Sequence, residues 1–216
     1  MDKYTQAHFA QSALITIDTQ NDFTLEDAPF RIPGTAEVVP EMVLMLDKYR
    51  SKGLTIIHVI RLYLQDGSNV DLCRRQLVEQ GAQIVVPQTK GADLVQVLKP
   101  DSSVKLDADE LMAGNFQQIG QNEFVMYKPR WGAFYKTRLE VFLKDRGIDT
   151  LVFTGCNFPN CPRTSIYQAS ERDFRIVLVK DAMSQLYPTA EDEMKNIGVN
   201  LLSTSAVNEL VSLDCA

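Results

Sequence analysis

The chain has 216 residues, of which 45% are apolar, and this is enough for one hydrophobic core of the size of a single α/β domain. Its formal net charge is −6 at pH 7, which argues against nucleic-acid or anionic-membrane partners, because both reward clustered Lys and Arg. We therefore expect one domain over residues 1–216, without a nucleic-acid or membrane partner.

Targeting signals and cysteine content indicate the compartment. No segment approaches the roughly 18 apolar residues of a spanning helix, and the N-terminal MDKYTQAHFAQS lacks the apolar stretch of a signal peptide. Four cysteines are too few for a disulfide scaffold and fit reduced thiols: Cys73, Cys156, Cys161 and Cys215. These features predict a cytoplasmic protein.

Short apolar runs alternate with longer amphipathic segments, a pattern that predicts βα units feeding a parallel sheet. Runs rich in Val, Ile and Leu predict strands at 13–17, 55–60, 124–127, 151–154, 175–179 and 199–202. Helical spacing predicts helices at 40–52, 70–80, 91–98, 137–146, 165–172, 191–196 and 206–213. The expected fold is α/β, a three-layer α/β/α sandwich around about six parallel strands. The long, partly irregular connection 61–123 is typical of a functional loop or lid.

Polar segments follow three of the predicted strands. They read DTQNDF (18–23), KPRWG (128–132) and GCNFPNCP (155–162). Ligands of open parallel sheets bind outside the carboxyl ends of the strands, so these segments are the candidates for chemistry.

Cys161 is the candidate nucleophile. Pro162 suits the first position of a helix, which would make Cys161 the N-cap. A thiol at a helix N-terminus feels the positive end of the dipole, which favours thiolate. The alternative is a small, buried, inert cysteine. The Gly-, Asn- and Pro-containing loop before Cys161 favours a nucleophile held at a sharp strand-to-helix turn.

Neither histidine is suitably placed to act as the base for Cys161. His8 lies in an N-terminal segment expected to fray, and His58 lies inside the second strand, where a core role is expected. Asp18 is the candidate base, and Lys128 the group that lowers the thiol pKa. Alternatively, Asp18 caps a loop and Lys128 is an ordinary solvated lysine.

The strand-end segments resemble the isochorismatase-like superfamily of cysteine hydrolases, which includes nicotinamidases, N-carbamoylsarcosine amidases, and ureidoacrylate and biuret hydrolases. The resemblance covers nearly the whole chain and is carried by LITIDTQNDF (14–23), YKPRWGAF (127–134) and TGCNFPNCPRTSIYQASERDFRIVLVKDAMS (154–184). It implies a Rossmann-like fold with Asp18, Lys128 and Cys161 as the catalytic residues. It also implies a cis bond between Cys156 and Asn157, with the amides of Asn157 and Cys161 forming an oxyanion hole.

The chain departs from family patterns in two places. Nicotinamidases carry an Asp-x-His-x-x-His metal set after the second strand, where this chain has HVIRLYLQDGSNVD (58–71) with a single His. We therefore predict no metal and no other cofactor, and disfavour nicotinamide as substrate. The DGSNVD stretch (66–71) is similar to the carbamoyl-amidase branch. Pro162-Arg163 replaces the common Val-Glu.

Together these features predict hydrolysis of an amide, carbamoyl or ureido C–N bond in a small substrate through a thioester on Cys161. Arg61, Arg130 and Arg163 are candidates for binding a substrate carboxylate, with surface or interface salt bridges as the alternative. Phe23 and Trp131 could wall the pocket, and Gln20 and Asn157 could orient an amide. The resemblance implies a homodimer or homotetramer.

Two other functions fit the sequence less well. The four-residue gap between Cys156 and Cys161 is not the Cys-x-x-Cys of thiol-redox proteins. The DTQNDF turn has no glycine, as a dinucleotide-binding turn would require. An isochorismatase-type hydrolase and a non-catalytic binding member of the same fold remain alternatives.

Overall fold

The computed structural model describes residues 2–215 and contains a central seven-stranded sheet. In chain order its strands are β1 (Ser12–Ile17), β2 (Thr55–Ile60), β3 (Gln117–Gly120), β4 (Glu123–Tyr127), β5 (Thr150–Gly155), β6 (Arg175–Met183) and β7 (Asn200–Leu202). Their spatial order is β3-β4-β2-β1-β5-β6-β7. All neighbours are parallel except β3 and β4, which are antiparallel. The predicted α/β class is confirmed, with one edge strand that was not predicted.

The helices are α1 (Asn21–Thr24), α2 (Thr35–Lys52), α3 (Leu72–Glu79), α4 (Ala108–Met112), α5 (Leu139–Lys144), α6 (Cys161–Ser170), α7 (Pro188–Asn196) and α8 (Thr204–Asp214). Apolar side chains of α2 and α8 pack on one face of the sheet, and those of α5, α6 and α7 on the other. Both faces of the central strands are therefore buried, which explains their unbroken runs of Val, Ile and Leu.

Two helix predictions are wrong in position. Helix α2 begins five residues before Pro40, which the helix accommodates in its interior at the loss of one backbone hydrogen bond. The segment 91–98 is helical only in a 3₁₀ turn at Gln96–Leu98. Its first half runs beside the segment after β1, where Gly91 and Asp93 accept hydrogen bonds from backbone N–H groups of that segment. These two hydrogen bonds use carbonyl groups that a helix over 91–98 would need for its own backbone hydrogen bonds.

The connectivity creates a switch point beside β1. From β1 the chain moves to β2 on one side and later returns to β5 on the other. A crevice at such a reversal, outside the carboxyl ends of the strands, is the usual ligand site of an open α/β sheet. Among residues 2–215, no helix has both the length and the apolar character needed to cross a bilayer.

Gly155, the last residue of β5, permits close approach to β1. Its φ is 116°, and a Cβ added there would lie 2.3 Å from the carbonyl oxygen of Ile17. The next residue, Cys156, donates its backbone N–H to that same oxygen at 2.9 Å. Only glycine fits this position without moving the strand that leads to Asp18.

We expect Gly155→Ala to destabilise the protein by roughly 2 to 4 kcal/mol, because the new methyl group meets backbone that cannot rotate away. Urea denaturation measures the change. Gly53→Ala is the matched control, since Gly53 also has a positive φ, 64°, but has no atom within 4 Å of an added Cβ. It should cost about 1 kcal/mol. Equal costs for the two variants would contradict the close-approach explanation.

Candidate active site

Asp18 is the first residue after β1, and the backbone on both sides fixes its position. Its φ of 51° is in the left-handed region, which is costly for a residue with a Cβ. Its N–H donates to the Val59 carbonyl at 2.9 Å, and its carbonyl accepts the Cys156 thiol at 3.2 Å. These bonds hold the strained turn and direct the Asp18 side chain into the crevice.

Lys128 follows β4 and is completely buried. Its backbone N–H donates to the Ile60 carbonyl at 3.0 Å, and its ammonium donates to Oδ2 of Asp18 at 2.9 Å. Such a buried cation needs a paired anion to offset its desolvation, and Asp18 provides it. Lys128 is therefore not the solvated lysine of the alternative interpretation.

The second carboxylate oxygen of Asp18 is unused. Oδ1 is buried and has no hydrogen-bond partner among residues 2–215. A buried carboxylate oxygen without a partner is costly, and such atoms concentrate at sites that perform chemistry. The site thus holds a carboxylate with one oxygen fixed by Lys128 and the other free to accept a proton.

Cys161 lies beside this ion pair and is only 6% exposed. Burial and the negative charge of Asp18 raise the pKa of its thiol to about 12, and Lys128 offsets only part of that rise. Burial and the Asp18 charge therefore outweigh the effect of the helix N-terminus, which by itself favours thiolate. The N-cap of α6 is Asn160, so Cys161 is the first helical residue and Pro162 the second. The helix thus begins one residue earlier than the prediction of Cys161 as N-cap. The thiol keeps its proton at neutral pH and needs a base at the moment of attack.

The segment from Cys156 to Cys161 carries two backbone N–H groups without acceptors among residues 2–215. The Cys156–Asn157 peptide bond is cis. Phe158 donates its N–H to the Ser184 carbonyl at 2.9 Å, which ties the loop to β6. By contrast, the N–H groups of Asn157 and Cys161 donate to no acceptor within residues 2–215. Both are therefore available to a ligand beside the thiol.

The Asn157 side chain bonds one residue of its own loop and one residue after β6. Its Nδ2 donates to Gln185 Oε1 at 2.7 Å, and its Oδ1 accepts from Asn160 Nδ2 at 3.1 Å. Gln20, the other residue expected to orient an amide, is fully buried. Its Nε2 donates to the carbonyls of Arg61 and Ala92, both at 2.7 Å, and its Oε1 accepts from the Arg61 N–H at 2.8 Å. The Gln20 side chain therefore holds two backbone segments together, which corrects its expected role as a substrate ligand.

Two of the three arginines expected to bind a carboxylate already have carboxylate partners. Arg61 is buried against Asp71, and its guanidinium also donates to the Tyr63 hydroxyl and the Lys128 carbonyl, each at 3.1 Å. Arg163 pairs with Glu193 at 2.8 Å and donates to the Tyr187 hydroxyl. The salt-bridge alternative fits both residues.

Arg130 is 42% exposed and donates to the carbonyls of Asn69 and Pro129. Its Nε lies 3.8 Å from Asp71 Oδ1, a carboxylate oxygen that has no hydrogen-bond partner within residues 2–215. Arg130 is thus held at the rim of the site by backbone oxygens, with a weaker electrostatic link to Asp71.

Arg74, on α3, is a residue that the sequence reasoning missed. Its guanidinium lies over the rings of Phe23, Tyr63 and Trp131, at 5.8, 6.0 and 5.3 Å from their centroids. Phe23 and Trp131 thus lie on the same guanidinium, and their role as walls of a substrate pocket stays a prediction. Arg74 belongs to no recognisable motif, and the sequence signal was only its place in a helix after the DGSNVD loop.

Both histidines make hydrogen bonds to residues other than Cys161. His58 is buried in β2, where its ring nitrogens contact Thr16 Oγ1 and Glu123 Oε1, both at 2.8 Å. His8 is anchored, with its N–H on Thr150 Oγ1 and its ring 2.8 Å from Asp149, so the expected fraying does not include it. Within residues 2–215, no cluster of three or more His, Cys, Asp or Glu side chains is arranged to hold a metal ion.

The sequence of this chain is similar to known proteins over most of its length. Residues 12–205 match the family model described as the isochorismatase domain. A probable inactive nicotinamidase of Arabidopsis thaliana is 30% identical over 194 residues, covering 87% of this chain and 90% of that protein. N-carbamoylsarcosine amidase of Arthrobacter sp. is 25% identical over 176 residues, covering 82% of this chain and 60% of the amidase.

A solved structure shows the same fold. The isochorismatase family protein from Desulfovibrio vulgaris superimposes with a TM-score of 0.79 and 31% identity, over 94% of this chain and 98% of that one. The sheet order, the crevice and the family match lead to one conclusion. The chain belongs to the isochorismatase-like hydrolase family.

Proposed function

We propose that this protein is a cysteine hydrolase that cleaves the C–N bond of a small amide, carbamoyl or ureido compound through a thioester on Cys161. One observation carries the proposal. A buried thiol lies beside a carboxylate whose Oδ2 is fixed by Lys128 and whose Oδ1 is unpartnered among residues 2–215. This is the arrangement of a nucleophile with its general base.

In the acylation step the thiol proton moves to Asp18 Oδ1 while Sγ attacks the substrate carbonyl carbon. The C–S bond forms as the carbonyl π electrons move to oxygen. Asp18 then returns the proton to the leaving nitrogen, the C–N bond breaks, and ammonia or an amine departs. Because the proton is transferred during attack, the high thiol pKa does not prevent reaction.

The negative oxygen of this tetrahedral intermediate needs donors. The free N–H groups of Asn157 and Cys161 flank the nucleophile and fit that role. Their loop is held by Phe158 and by the Asn157–Gln185 contact, so the donors need little reorganisation.

In the deacylation step a water molecule attacks the thioester. Asp18 takes a proton from the water, the C–S bond breaks, and the thiolate regains the proton as the carboxylic acid leaves. Lys128 keeps Asp18 oriented through both steps, since its ammonium holds Oδ2 at 2.9 Å. We expect the active form to be a homodimer or homotetramer.

A non-catalytic, ligand-binding role is the second candidate, because the Arabidopsis relative carries the name of a probable inactive nicotinamidase. The contact among Asp18, Lys128 and Cys161 favours catalysis in this chain. N-carbamoylsarcosine amidase, a more distant relative, is by its name an amidase.

Ammonia release separates these candidates. We expect the wild-type protein to release ammonia from at least one compound of a panel of small amides, ureas and N-carbamoyl amino acids. A Cys161→Ala protein, tested in parallel, should release none above background. Release from no compound would support the ligand-binding role, and release by the Cys161→Ala protein would contradict the proposed nucleophile.

A further inference from the structure

The cations around the site outnumber the carboxylates. Two ion pairs, Lys128 with Asp18 and Arg61 with Asp71, account for both carboxylates of this cluster. Arg130 reaches Asp71 only at 3.8 Å, and Arg74 forms no salt bridge to any residue within 2–215. Two positive charges of this cluster therefore remain without a full counter-charge.

Of the four cations in this cluster (Arg61, Arg74, Lys128 and Arg130), Arg74 has the most unused hydrogen-bonding capacity. A guanidinium has five N–H donors, and that of Arg74 uses one of them within residues 2–215, from Nη1 to the Tyr63 hydroxyl at 3.1 Å. The other arginines of the cluster donate to carboxylate or carbonyl oxygens. Arg74 thus keeps donors for a ligand.

The surroundings of Arg74 hold it in place without neutralising it. Three aromatic rings, those of Phe23, Tyr63 and Trp131, lie within about 6 Å of its guanidinium, a range in which cation–π attraction operates. The Tyr63 hydroxyl in turn donates to Asp71 at 2.7 Å. A partly buried guanidinium oriented in this way can receive a ligand at low entropic cost.

Arg74 is also electrostatically coupled to the reacting groups. Burial lowers its pKa, but Tyr63, Cys161 and Asp18 raise it, and the net direction is upward. Arg74 therefore remains charged. Hydrogen bonds also link it to the site, because Arg74 and Arg61 both donate to the Tyr63 hydroxyl, and Arg61 donates to the Lys128 carbonyl. A group bound to it would belong to the same small molecule as the bond attacked by Cys161.

We infer that Arg74 is the specificity-determining residue of this site and binds a carboxylate of the substrate through its planar fork of N–H donors. This inference rests on the proposed C–N hydrolase function and names its substrate class as amides or ureas that carry a carboxylate. The geometry of a guanidinium matches the two oxygens of a carboxylate.

Matched substrate pairs test this inference. Each acid is paired with the neutral compound in which a methyl group replaces the carboxylate: N-carbamoylglycine with ethylurea, N-carbamoyl-β-alanine with propylurea, and succinamate with butyramide. Ammonia release gives kcat/KM for wild type, Arg74→Gln and Arg75→Gln. Arg75 is the control, since it is the next residue of the same helix and loses the same charge.

We expect Arg74→Gln to lower kcat/KM for the acids by about 10- to 100-fold, the usual effect of losing a charge-assisted hydrogen bond, and to leave the neutral partners within about threefold. Arg75→Gln should change neither. Equal losses on acids and neutral compounds, or no loss on acids, would overturn the inference.

A binding measurement keeps the inference testable if no compound is hydrolysed, which would be a failure of the proposed function alone. Calorimetric titration with succinamate and butyramide reads the interaction without turnover. We expect succinamate to bind wild type at least tenfold more tightly than Arg74→Gln. Equal affinity of the two proteins, or equal binding of both compounds to wild type, would refute the role of Arg74.

Discussion

Replacing Cys161 by Ala should lower hydrolysis by roughly 10³-fold or more, because the covalent route is lost and only binding and oxyanion stabilisation remain. The fold should survive. Cys161 is the first residue of α6, and Ala at that position removes one sulfur atom from a cluster of apolar neighbours. We expect a cost of about 1 kcal/mol, measured by thermal unfolding alongside kcat/KM.

Cys73→Ala is the matched control for that variant. Cys73 is an exposed free thiol on α3, so its removal should change neither rate nor stability. A Cys161→Ala protein with near wild-type kcat/KM would exclude the thioester route. A similar loss in Cys73→Ala would point to a general dependence on thiols instead.

Asp18→Asn should separate reactivity of the thiol from catalysis. Hydrolysis should fall by about 10²- to 10⁴-fold, since an amide cannot take the thiol proton or return it to the leaving group. Yet the pKa of Cys161 should fall in this variant. In wild type, burial raises that pKa most and the Asp18 charge second, whereas Lys128 lowers it. Without the Asp18 charge, the lowering effect of Lys128 is larger relative to what remains. At pH 8 the thiolate fraction of the variant should therefore exceed that of wild type.

Alkylation by iodoacetamide, followed at the Cys161 peptide by mass spectrometry, measures this change. In wild type the rate should keep rising with pH throughout the range below about 12, because the thiol remains protonated there. In Asp18→Asn the rise should begin at lower pH. Asp149→Asn is the control, since Asp149 pairs with His8 and Arg175 at the opposite end of β5. Slower hydrolysis with unchanged alkylation would contradict the coupling of Asp18 to the thiol.

The sequence was informative where topology alone decides position. Asp18, Lys128 and the Cys161 loop each follow a strand of a parallel sheet, so their carboxyl-end location brings them to one crevice. The hydrophobic runs predicted six strands because both faces of the central strands are buried. Edge strand β3, with sequence QQIG, has a single large apolar residue and gives no such signal.

The sequence was less informative where a side chain has a choice of partners. Arg61 and Arg74 both lie in the long connection after β2, and only the three-dimensional arrangement shows Arg61 paired with Asp71 and Arg74 without a carboxylate partner within residues 2–215. The pKa of Cys161 is a similar case. Its position at a helix N-terminus suggested thiolate, whereas burial and the adjacent Asp18 charge dominate in the folded protein.

The central claim is that Cys161 carries the acyl group of the substrate during turnover. Mass spectrometry of wild-type protein quenched in acid at successive times, with a compound that it hydrolyses, tests this directly. We expect an acyl group on the peptide that contains Cys161, and we expect it to disappear as the substrate is consumed. Continuing ammonia release with Cys161 unmodified at every quench time, or with the acyl group on another residue, would contradict it.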